Sequence, residues 1–524
     1  MHKILIANRG EIAVRVVRAC RDLGLGSVAV FSECDRSARH VRMADEAVAI
    51  GGNAPADSYL RIDRILDAAR VTGADAVHPG YGFLSEDEDF ARACRDAGLT
   101  FIGPTPEAVA RVGNKTMARQ IAASAGVPVV LGTEEAFGPD ASDAELAAAA
   151  RRIGYPVLIK AVAGGGGKGM RVVTNPAELP SAIRLARSEA ATAFADSAVY
   201  LERCLQRPRH VEIQILADQH GNIRPFVERE CSIQRRHQKV IEESPSPVVD
   251  LALRARLADA AVAVARAAGY TNAGTVEFLL DEDGHFFFLE VNARLQVEHP
   301  VTEVVSGVDL VRWQIRIADG ERLTLSLDDT LTASGHAIEC RVYAEDPDLG
   351  FLPSPGRIVA LRAPTGPGVR DDSWVESGTE IPVYYDSLLS KVIVWGEDRL
   401  QATARMRRAL SEYEIQGLRS TIPFSQWLLA RPEFIEARFH TSYLDEVLQQ
   451  RAGEPFSELD PSLEEVAAIA AGLVEASLPA FAGGGADAPS RVISGVSGPD
   501  RHHLDATSLE RSWKARARRE SLRW

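Results

Sequence analysis

Short apolar runs alternate with longer amphipathic stretches over the first hundred residues of the chain. The stretch at 11–23 places Ile12, Val16 and Ala19 on one helical face, as expected for a helix that packs on a sheet. The apolar runs between such stretches lie at 3–7, 27–31, 46–50, 74–78 and 100–103. Strands that alternate with helices in this way predict a parallel sheet covered by helices.

The remainder of the chain predicts a less regular mixture of helices and strands. Its expected segments are a helical connector at 113–132, a strand at 155–160, a strand at 210–216, an alanine-rich helix at 251–268, a mixed β/α section at 335–448, a helix at 464–475 and a linker rich in Gly, Ala, Pro and Ser at 480–498. The fold class expected is therefore α/β and α+β, in several domains.

Composition narrows the class of protein. The formal net charge is −14, whereas a nucleic-acid-binding surface would be basic. No uncharged apolar run approaches the length of about 18 residues that spans a bilayer, and the first apolar run is too short for a secretion signal. The six cysteines form no CxxC pair and are expected to be reduced thiols. We expect a cytoplasmic multidomain enzyme without a membrane or nucleic-acid partner.

A run of four glycines at 164–167 lies between Lys160 and Lys168. Consecutive glycines let backbone N–H groups approach an anion without obstruction by Cβ atoms. The run is not a Walker A loop, because Lys168 is followed by Gly169 and not by Ser or Thr. Since strand-like residues flank both sides, we expect a hairpin flap that closes on nucleotide phosphates. A flexible linker is the alternative interpretation.

Two strand-like runs at 274–280 and 285–292 are separated by Asp-Glu-Asp-Gly, which predicts a β-hairpin. Alternation places Glu290 and Asn292 on one face, with Glu277 across or diagonal on the partner strand. Carboxylate and amide oxygens converging there suit a hard cation such as Mg²⁺. The same alternation extends this polar face to Arg294, Gln296 and Glu298. The alternative is the solvated face of an edge strand.

The segment 228–239 is rich in basic and amide side chains. By itself such a segment is typical of a surface charge run. Because it follows the strand at 210–216 and precedes Glu242 and Glu243, we expect it to form a loop of the functional site.

Taken together, these motifs resemble those of biotin carboxylase, the ATP-grasp component of biotin-dependent carboxylases. The matching strings are ANRGEIA (7–13), HPGYGFLSE (78–86), FIGP (101–104), GGGGKGM (164–170), PRHVEIQ (208–214), ERECSIQRRHQK (228–239), NARLQVEHPVTE (292–303), ECRVYAEDP (339–347), FLPSPG (351–356) and YYDSLLSK (384–391). They follow the order of the family from residue 1 to about 448, and the combination of QRRHQK with the run at 292–303 is highly specific.

The resemblance implies a division of the chain into segments. These are a Rossmann-like N-terminal domain at 1–113, a helical linker at 114–132, an ATP-grasp lid at 133–204, an ATP-grasp core at 205–330, a C-terminal β/α domain at 331–448 and a tail at 449–524 with a helix, a Gly/Ala-rich linker and a basic end.

The resemblance also implies residue roles. The residues implied for ATP are Lys115, Lys160, Gly165, Gly166, Lys168, Glu202, Leu205, His210, Gln234 and His237. Those implied for Mg²⁺ or Mn²⁺ are Glu277, Glu290 and Asn292. Bicarbonate would be held by Lys239, Arg294, Gln296 and Val297, and biotin by Tyr81 and Arg341. The catalytic residues implied are Lys239, Arg294, Glu298 as general base and Arg341, which would stabilise the biotin enolate.

The implied activity is ATP-dependent carboxylation of biotin by bicarbonate, through carboxyphosphate, within an acyl-CoA or pyruvate carboxylase. None of the five methionines precedes a lysine, so the chain contains no Met-Lys-Met biotinylation sequence. We therefore expect biotin to be attached to a separate carrier protein. We also expect a carboxyltransferase subunit as a second partner, and we expect the chain to form a homodimer. The alternatives are another ATP-grasp carbon–nitrogen ligase and a non-catalytic scaffold subunit; the latter predicts loss of Lys239, Glu298 or Arg341, and all three are present.

Overall fold

The computed structural model describes residues 1–133, 135–162, 170–194, 196–451, 453–456 and 461–477. The whole glycine run at 164–167, with the predicted ATP-binding residues Gly165 and Gly166, lies outside the described residues, as does Lys168. The linker and the basic end of the tail, 478–524, lie outside them as well.

The N-terminal segment forms the predicted parallel sheet. Its strands are β1 (Lys3–Ile6), β2 (Gly26–Ser32), β3 (Glu46–Gly51), β4 (Ala76–His78) and β5 (Thr100–Phe101). Its helices are α1 (Gly10–Asp22), α2 (Arg39–Met43), α3 (Ile62–Thr72), α4 (Glu88–Asp96) and α5 (Pro106–Gly113), with 3₁₀ turns at Glu33–Asp35 and Pro55–Asp57. The strand order is β3-β2-β1-β4-β5, and every pairing is parallel. Each predicted apolar run therefore lies in or overlaps a strand, as alternation with helices requires.

A small antiparallel sheet follows the helix α6 (Lys115–Ser124). Its elements are α7 (Asp143–Ile153), β6 (Val157–Ala161), β7 (Arg171–Val173), α8 (Leu179–Phe194) and β8 (Val199–Arg203), with the strand order β7-β6-β8. The strands on either side of the glycine run, β6 and β7, pair antiparallel, as predicted for a hairpin. The predicted helical connector is shorter than expected, since α6 ends at Ser124.

Residues 205–331 supply six of the nine strands of a large antiparallel sheet, together with helices that cover it. The strands are β9 (Arg209–Ala217), β10 (Ile223–Pro225), β11 (Arg229–Arg235), β12 (Gln238–Ser244), β13 (Asn272–Leu280) and β14 (Phe286–Asn292). The helices are α9 (Leu251–Ala268), α10 (His299–Ser306), α11 (Leu310–Ala318) and α12 (Leu327–Leu331). The alanine-rich helix at 251–268 and the hairpin of β13 with β14 are both confirmed.

The remaining described residues complete that sheet and add small ones. The strands are β15 (His336–Tyr343), β16 (Glu345–Asp346), β17 (Leu352–Pro353), β18 (Gly356–Arg357), β19 (Ala360–Arg362), β20 (Val369–Ser373), β21 (Glu380–Ile381), β22 (Leu388–Gly396) and β23 (Glu414–Gln416). The helices are α13 (Arg399–Glu412), α14 (Ile422–Leu429), α15 (Pro432–Ile435), α16 (Tyr443–Gln450) and α17 (Pro461–Ser477), with a 3₁₀ turn at Pro347–Leu349. None of the described helices combines the length and apolar character needed to cross a membrane.

The large sheet runs without a break across residue 330. Its order is β14-β13-β9-β11-β12-β15-β22-β20, and β12 pairs with β15 so that Glu242 lies opposite Glu339. Side chains from the segments 205–330 and 331–448 therefore share one sheet face. This continuity brings residues about one hundred positions apart in sequence into contact.

The expectation that 228–239 forms a loop is wrong, because the segment is most of the hairpin β11–β12. Its turn consists of Arg236 and His237, whose φ angles are +50° and +66°. Two consecutive positive φ values give the tight turn that matches the twist of antiparallel strands. The run of charged residues concealed the strand pattern, since Arg229 and Glu230 are buried in the sheet.

Candidate functional site

Three carboxylates lie in a row across neighbouring strands of the large sheet. Glu277 of β13 is opposite Glu290 of β14 on one side and opposite Glu212 of β9 on the other. Residues directly opposite in a sheet point to the same face. The prediction that Glu277 lies across from Glu290 is therefore confirmed, while Glu212 is an acidic neighbour that the sequence reasoning missed.

The Lys239 ammonium group lies among three carboxylates. Its Nζ is 2.5 Å from Glu212 Oε2, 2.9 Å from Glu277 Oε1 and 2.6 Å from Glu298 Oε1. Burial would lower the pKa of Lys239, but these carboxylates hold it well above the ordinary value for lysine. The position therefore carries a fixed positive charge across the neutral range of pH.

The predicted strand alternation from Glu290 to Glu298 is wrong beyond Asn292, where β14 ends. A turn follows, and α10 begins at His299 with Pro300 in its first turn, a position that favours a helix start. Gln296 and Glu298 nevertheless reach the cluster, since Gln296 Nε2 donates to Glu277 Oε1 at 2.8 Å. The turn, not strand parity, brings these side chains together.

Arg341 of β15 bridges two acids of the cluster. Its Nε donates to Glu242 Oε1 at 2.6 Å, and its Nη2 donates to Glu298 Oε2 at 2.9 Å. Burial raises the pKa of the Glu298 carboxyl, but Lys239 and Arg341 bring it below the ordinary value. For Glu242, burial dominates and raises the pKa to about 7, although Arg341 opposes it. Glu298 is therefore the more strongly ionised of the two.

Arg294 lies where the cluster meets the N-terminal segment. Its Nε donates to Glu86 Oε2 at 2.8 Å, and its Nη2 donates to Asn292 Oδ1 at 3.2 Å. The backbone N–H of Ala293 also donates to Glu86, at 2.9 Å. Glu86 was not singled out from the sequence, although it ends the string HPGYGFLSE.

The two lysines predicted to hold phosphates each contact a carboxylate. Lys160 Nζ is 2.5 Å from Glu202 Oε2, and Lys115 Nζ is 3.4 Å from Glu290 Oε2. Lys160 therefore lies beside a residue predicted for ATP, and Lys115 lies beside a residue predicted for the divalent cation. Leu205 is half-buried in the connection between β8 and β9.

His210 and Gln234 join the cluster, whereas His237 does not. His210 Nδ1 lies 3.0 Å from Gln234 Nε2, and His210 Nε2 lies 3.2 Å from Glu277 Oε2. Burial would lower the pKa of His210, but Glu277 raises it to about 9. His237 is exposed at the β11–β12 turn, and the described contacts do not bring it to the carboxylates.

Tyr81 and the Val297 carbonyl are linked by residues that the sequence reasoning missed. The fully buried Lys391 donates to the Val297 carbonyl at 2.8 Å and lies 3.0 Å from Glu11 Oε1. The Tyr81 hydroxyl bonds to the same Glu11 oxygen. Lys391 and Glu11 lie within the strings YYDSLLSK and ANRGEIA. Their place in these motifs is the sequence signal that could have identified them.

Arg229 is fully buried, and its guanidinium group contacts several side chains of the cluster. Its nitrogen atoms donate at 2.6–3.1 Å to five side chains, those of Glu212, Gln214, Thr275, Gln296 and Thr302. The alternation of His210, Glu212 and Gln214 in β9 was a sequence signal for this polar face. Since Glu212 and Gln296 also contact Lys239, Arg229 orients two of its neighbours.

Replacing Arg229 with methionine should destabilise the protein strongly, because it leaves the buried Glu212 carboxylate without this partner. Removal of one member of a buried ion pair costs about 3–5 kcal/mol of unfolding free energy. Chemical denaturation monitored by circular dichroism would measure the loss. Thr302→Val is the matched control, since it removes a single hydrogen bond and should cost about 1 kcal/mol. Equal losses for the two variants would contradict the central role of Arg229.

The residues predicted for a divalent cation have suitable chemistry. Glu277 and Glu290 face each other across the β13–β14 pair, and Asn292 lies on the same strand as Glu290 with its Oδ1 directed to Arg294. The Glu290 side chain is 32% exposed, so it is open to a ligand. Two carboxylates and an amide oxygen are hard donors of the kind that Mg²⁺ prefers.

Three models of known protein families match the chain between residues 1 and 446. Residues 1–109 match a family model described as biotin carboxylase, N-terminal domain, and residues 339–446 match the biotin carboxylase C-terminal domain. Residues 114–326 match the ATP binding domain of the carbamoyl-phosphate synthase L chain. The biotin carboxylase of Nostoc sp. is 53% identical over 445 residues, which are 85% of this chain and 99% of that protein. The chain belongs to the biotin carboxylase family.

Other biotin carboxylases agree in sequence and in fold. Biotin carboxylase 1 of Bacillus subtilis is 51% identical over 444 residues, which are 84% of this chain and 98% of that protein. The biotin carboxylase domain dimer of Hydrogenobacter thermophilus 2-oxoglutarate carboxylase, solved with MgADP, ADP and bicarbonate, has a TM-score of 0.83 at 45% identity and covers 87% of this chain and 99% of its own. The predicted family, the multidomain α/β fold and the assignment as an ATP-grasp ligase are confirmed.

Proposed function

We propose that this biotin carboxylase transfers a carboxyl group from bicarbonate to biotin at the cluster of Lys239, Glu298 and Arg341, with cleavage of ATP. The observation that carries the proposal is Glu298, held between the two cations at 2.6 Å and 2.9 Å. A buried carboxylate positioned in this way is able to accept a proton from a small acid bound beside it. The segment boundaries predicted above are part of the same proposal.

ATP would lie between the small antiparallel sheet and the large sheet. Its phosphates would be held by Lys115 and Lys160, and the remaining contacts would come from Gly165, Gly166, Lys168, Glu202, Leu205, His210, Gln234 and His237. Glu277, Glu290 and Asn292 would hold Mg²⁺ or Mn²⁺, which neutralises phosphate charge when bound. Phosphoryl transfer depends mainly on such alignment and charge neutralisation.

Bicarbonate would be held by Lys239, Arg294, Gln296 and the Val297 backbone. Glu298 would take its proton, and the bicarbonate oxygen would attack the γ-phosphorus. That oxygen–phosphorus bond forms as the bond to ADP breaks, which gives ADP and carboxyphosphate. A glycine flap would exclude water from this labile product.

Carboxyphosphate would split into CO₂ and phosphate beside biotin bound at Tyr81 and Arg341. The released phosphate would take the proton of the ureido nitrogen, which places negative charge on the biotin ring, and the Arg341 guanidinium would stabilise that charge. The nitrogen would then attack CO₂ and form the nitrogen–carbon bond of carboxybiotin. A preorganised cation at such a position is a strong source of catalysis. Its two carboxylate contacts restrict the orientation of the guanidinium.

The partners follow from the same reaction. We propose that the chain works with a biotin carboxyl carrier protein and a carboxyltransferase subunit, in an acyl-CoA or pyruvate carboxylase, and that it forms a homodimer. Its relatives include subunits of pyruvate and methylcrotonoyl-CoA carboxylases. All six cysteines are free thiols, which favours a reducing compartment such as the cytoplasm.

One assay tests the proposed function. Phosphate release from ATP by the purified chain is expected to require bicarbonate and to increase when free biotin is added. Ammonia in place of biotin is the control for another ATP-grasp ligase, and ammonia-dependent turnover would favour that alternative. Absence of turnover in every mixture would favour a scaffold role.

A further inference from the structure

Glu202 of β8 is a buried carboxylate that lies between two cations. Only 4% of the residue is exposed, and Lys160 lies 2.5 Å from its Oε2. Its Oε1 pairs with Arg119 of α6, a residue that none of the sequence motifs includes. Among the described residues, these two are the cations that pair with Glu202.

Arg119 is held in this place by further contacts. Its Nη2 donates to the Val130 carbonyl at 2.7 Å, and its side chain is only 11% exposed. A Cβ atom on Gly132 would lie 2.7 Å from the Leu201 carbonyl oxygen and 3.1 Å from Arg119 Nη2. The glycine therefore permits the close approach of the α6 side chain to β8.

The two predicted phosphate lysines differ in what happens to their acidic partners when nucleotide binds. Lys115 would leave Glu290, but Glu290 is a predicted ligand of the divalent cation that accompanies ATP. Lys160 would leave Glu202, which receives no such ion. A buried carboxylate without a counter-ion is costly, so Glu202 needs a cation that stays.

We propose that Arg119 is a positioning residue, which remains as the counter-ion of Glu202 when Lys160 turns to the phosphates of ATP. This inference rests on the proposed role of Lys160 in binding ATP. Arg119 thereby lowers the cost of releasing Lys160 and strengthens the binding of phosphate-bearing nucleotides. It does not contact the reacting atoms.

Calorimetric titration with the magnesium complex of a non-hydrolysable ATP analogue tests the proposal without turnover. Arg119→Met should weaken this binding by about tenfold or more, because Glu202 then keeps no cationic partner among the described residues once Lys160 moves. Binding of adenosine, which has no phosphate to draw Lys160 away, should change much less. The kcat at saturating ATP should stay near that of the unmodified protein while the KM for ATP rises.

Removal of the acid should cancel the effect of losing Arg119. The double variant Arg119→Met with Glu202→Gln has no buried charge to compensate, so it should bind the analogue about as well as Glu202→Gln alone. That single variant accounts for the contact that Glu202 itself is proposed to make with ATP. Arg119→Lys, which keeps the charge, should bind better than Arg119→Met and serves as the second variant if the methionine protein does not fold. Arg111→Met is the matched control, since that arginine donates to the Ala268 carbonyl and should leave nucleotide binding unchanged.

Three results would overturn the proposal. They are unchanged analogue binding in folded Arg119→Met protein, equal weakening of analogue and adenosine binding, and weaker analogue binding by the double variant than by Glu202→Gln alone. Lys160→Met tests the underlying role separately: if it leaves analogue binding unchanged, the proposed ATP site fails, and the inference about Arg119 fails with it.

Discussion

Glu298→Gln is expected to reduce bicarbonate-dependent ATP cleavage by about 10²- to 10⁴-fold, the range that general acid–base catalysis contributes. The amide oxygen of glutamine is still able to accept a hydrogen bond from Lys239 or Arg341. It has almost no affinity for a proton at neutral pH, so bicarbonate would remain a poor nucleophile. Phosphate release measured with and without bicarbonate gives the loss directly.

Nucleotide binding separates this effect from a general disturbance of the site. The magnesium complex of the ATP analogue should bind Glu298→Gln with nearly unchanged affinity, because the predicted phosphate contacts come from Lys115 and Lys160. Glu303→Gln is a suitable control. That acid lies on the following helix and pairs with Arg15 and Arg370, away from the cluster, so most of the cleavage activity should persist. Normal bicarbonate-dependent cleavage by Glu298→Gln would exclude Glu298 as the base.

Arg341→Ala is expected to reduce the carboxylation of free biotin by about 10²- to 10³-fold, the cost of losing one preorganised donor to a developing anion. Cleavage of ATP should fall less, because Lys239 continues to contact Glu298. Incorporation of labelled bicarbonate into biotin reports the first reaction, and phosphate release without biotin reports the second. Equal losses in both reactions would contradict the separate role of Arg341.

The structure adds a control for this variant. Alanine at 341 leaves Glu242 without its guanidinium partner, and Glu242 is completely buried. The double variant Arg341→Ala with Glu242→Gln removes that unpaired acid. If its biotin carboxylation remains low while its ATP cleavage recovers, the loss belongs to the missing cation and not to the stranded acid.

Much of the fold is predictable because the relevant signals are local. Period-two alternation and an Asp-Glu-Asp-Gly turn predict the hairpin of β13 with β14, and the sequence pattern at 251–268 predicts α9 to the residue. The prediction of strands and loops is wrong at two places, where the local sequence pattern does not match the structure that the chain adopts. The charged run at 228–239 conceals two strands, and the alternation after Asn292 continues in sequence although the chain turns into α10.

The candidate site shows the same division. Glu277 and Glu290 are close in sequence and joined by a short turn, so their position on one face follows from the pattern alone. Glu212 and Arg229 were missed because their importance comes from partners on other strands. Arg119 was missed for the same reason, since its acid lies 83 residues away on a different element.

By itself, the sequence determined the family, the order of the elements and the residue types needed for the chemistry, because these depend on short-range periodicity and on motifs contiguous along the chain. Only the tertiary structure decided which charges neutralise one another. The pairing of β12 with β15 sets Arg341 beside Glu242, and the turn before α10 brings Glu298 between Lys239 and Arg341. Electrostatic interactions depend on distance and burial, and both are set by the packing of elements far apart in the chain.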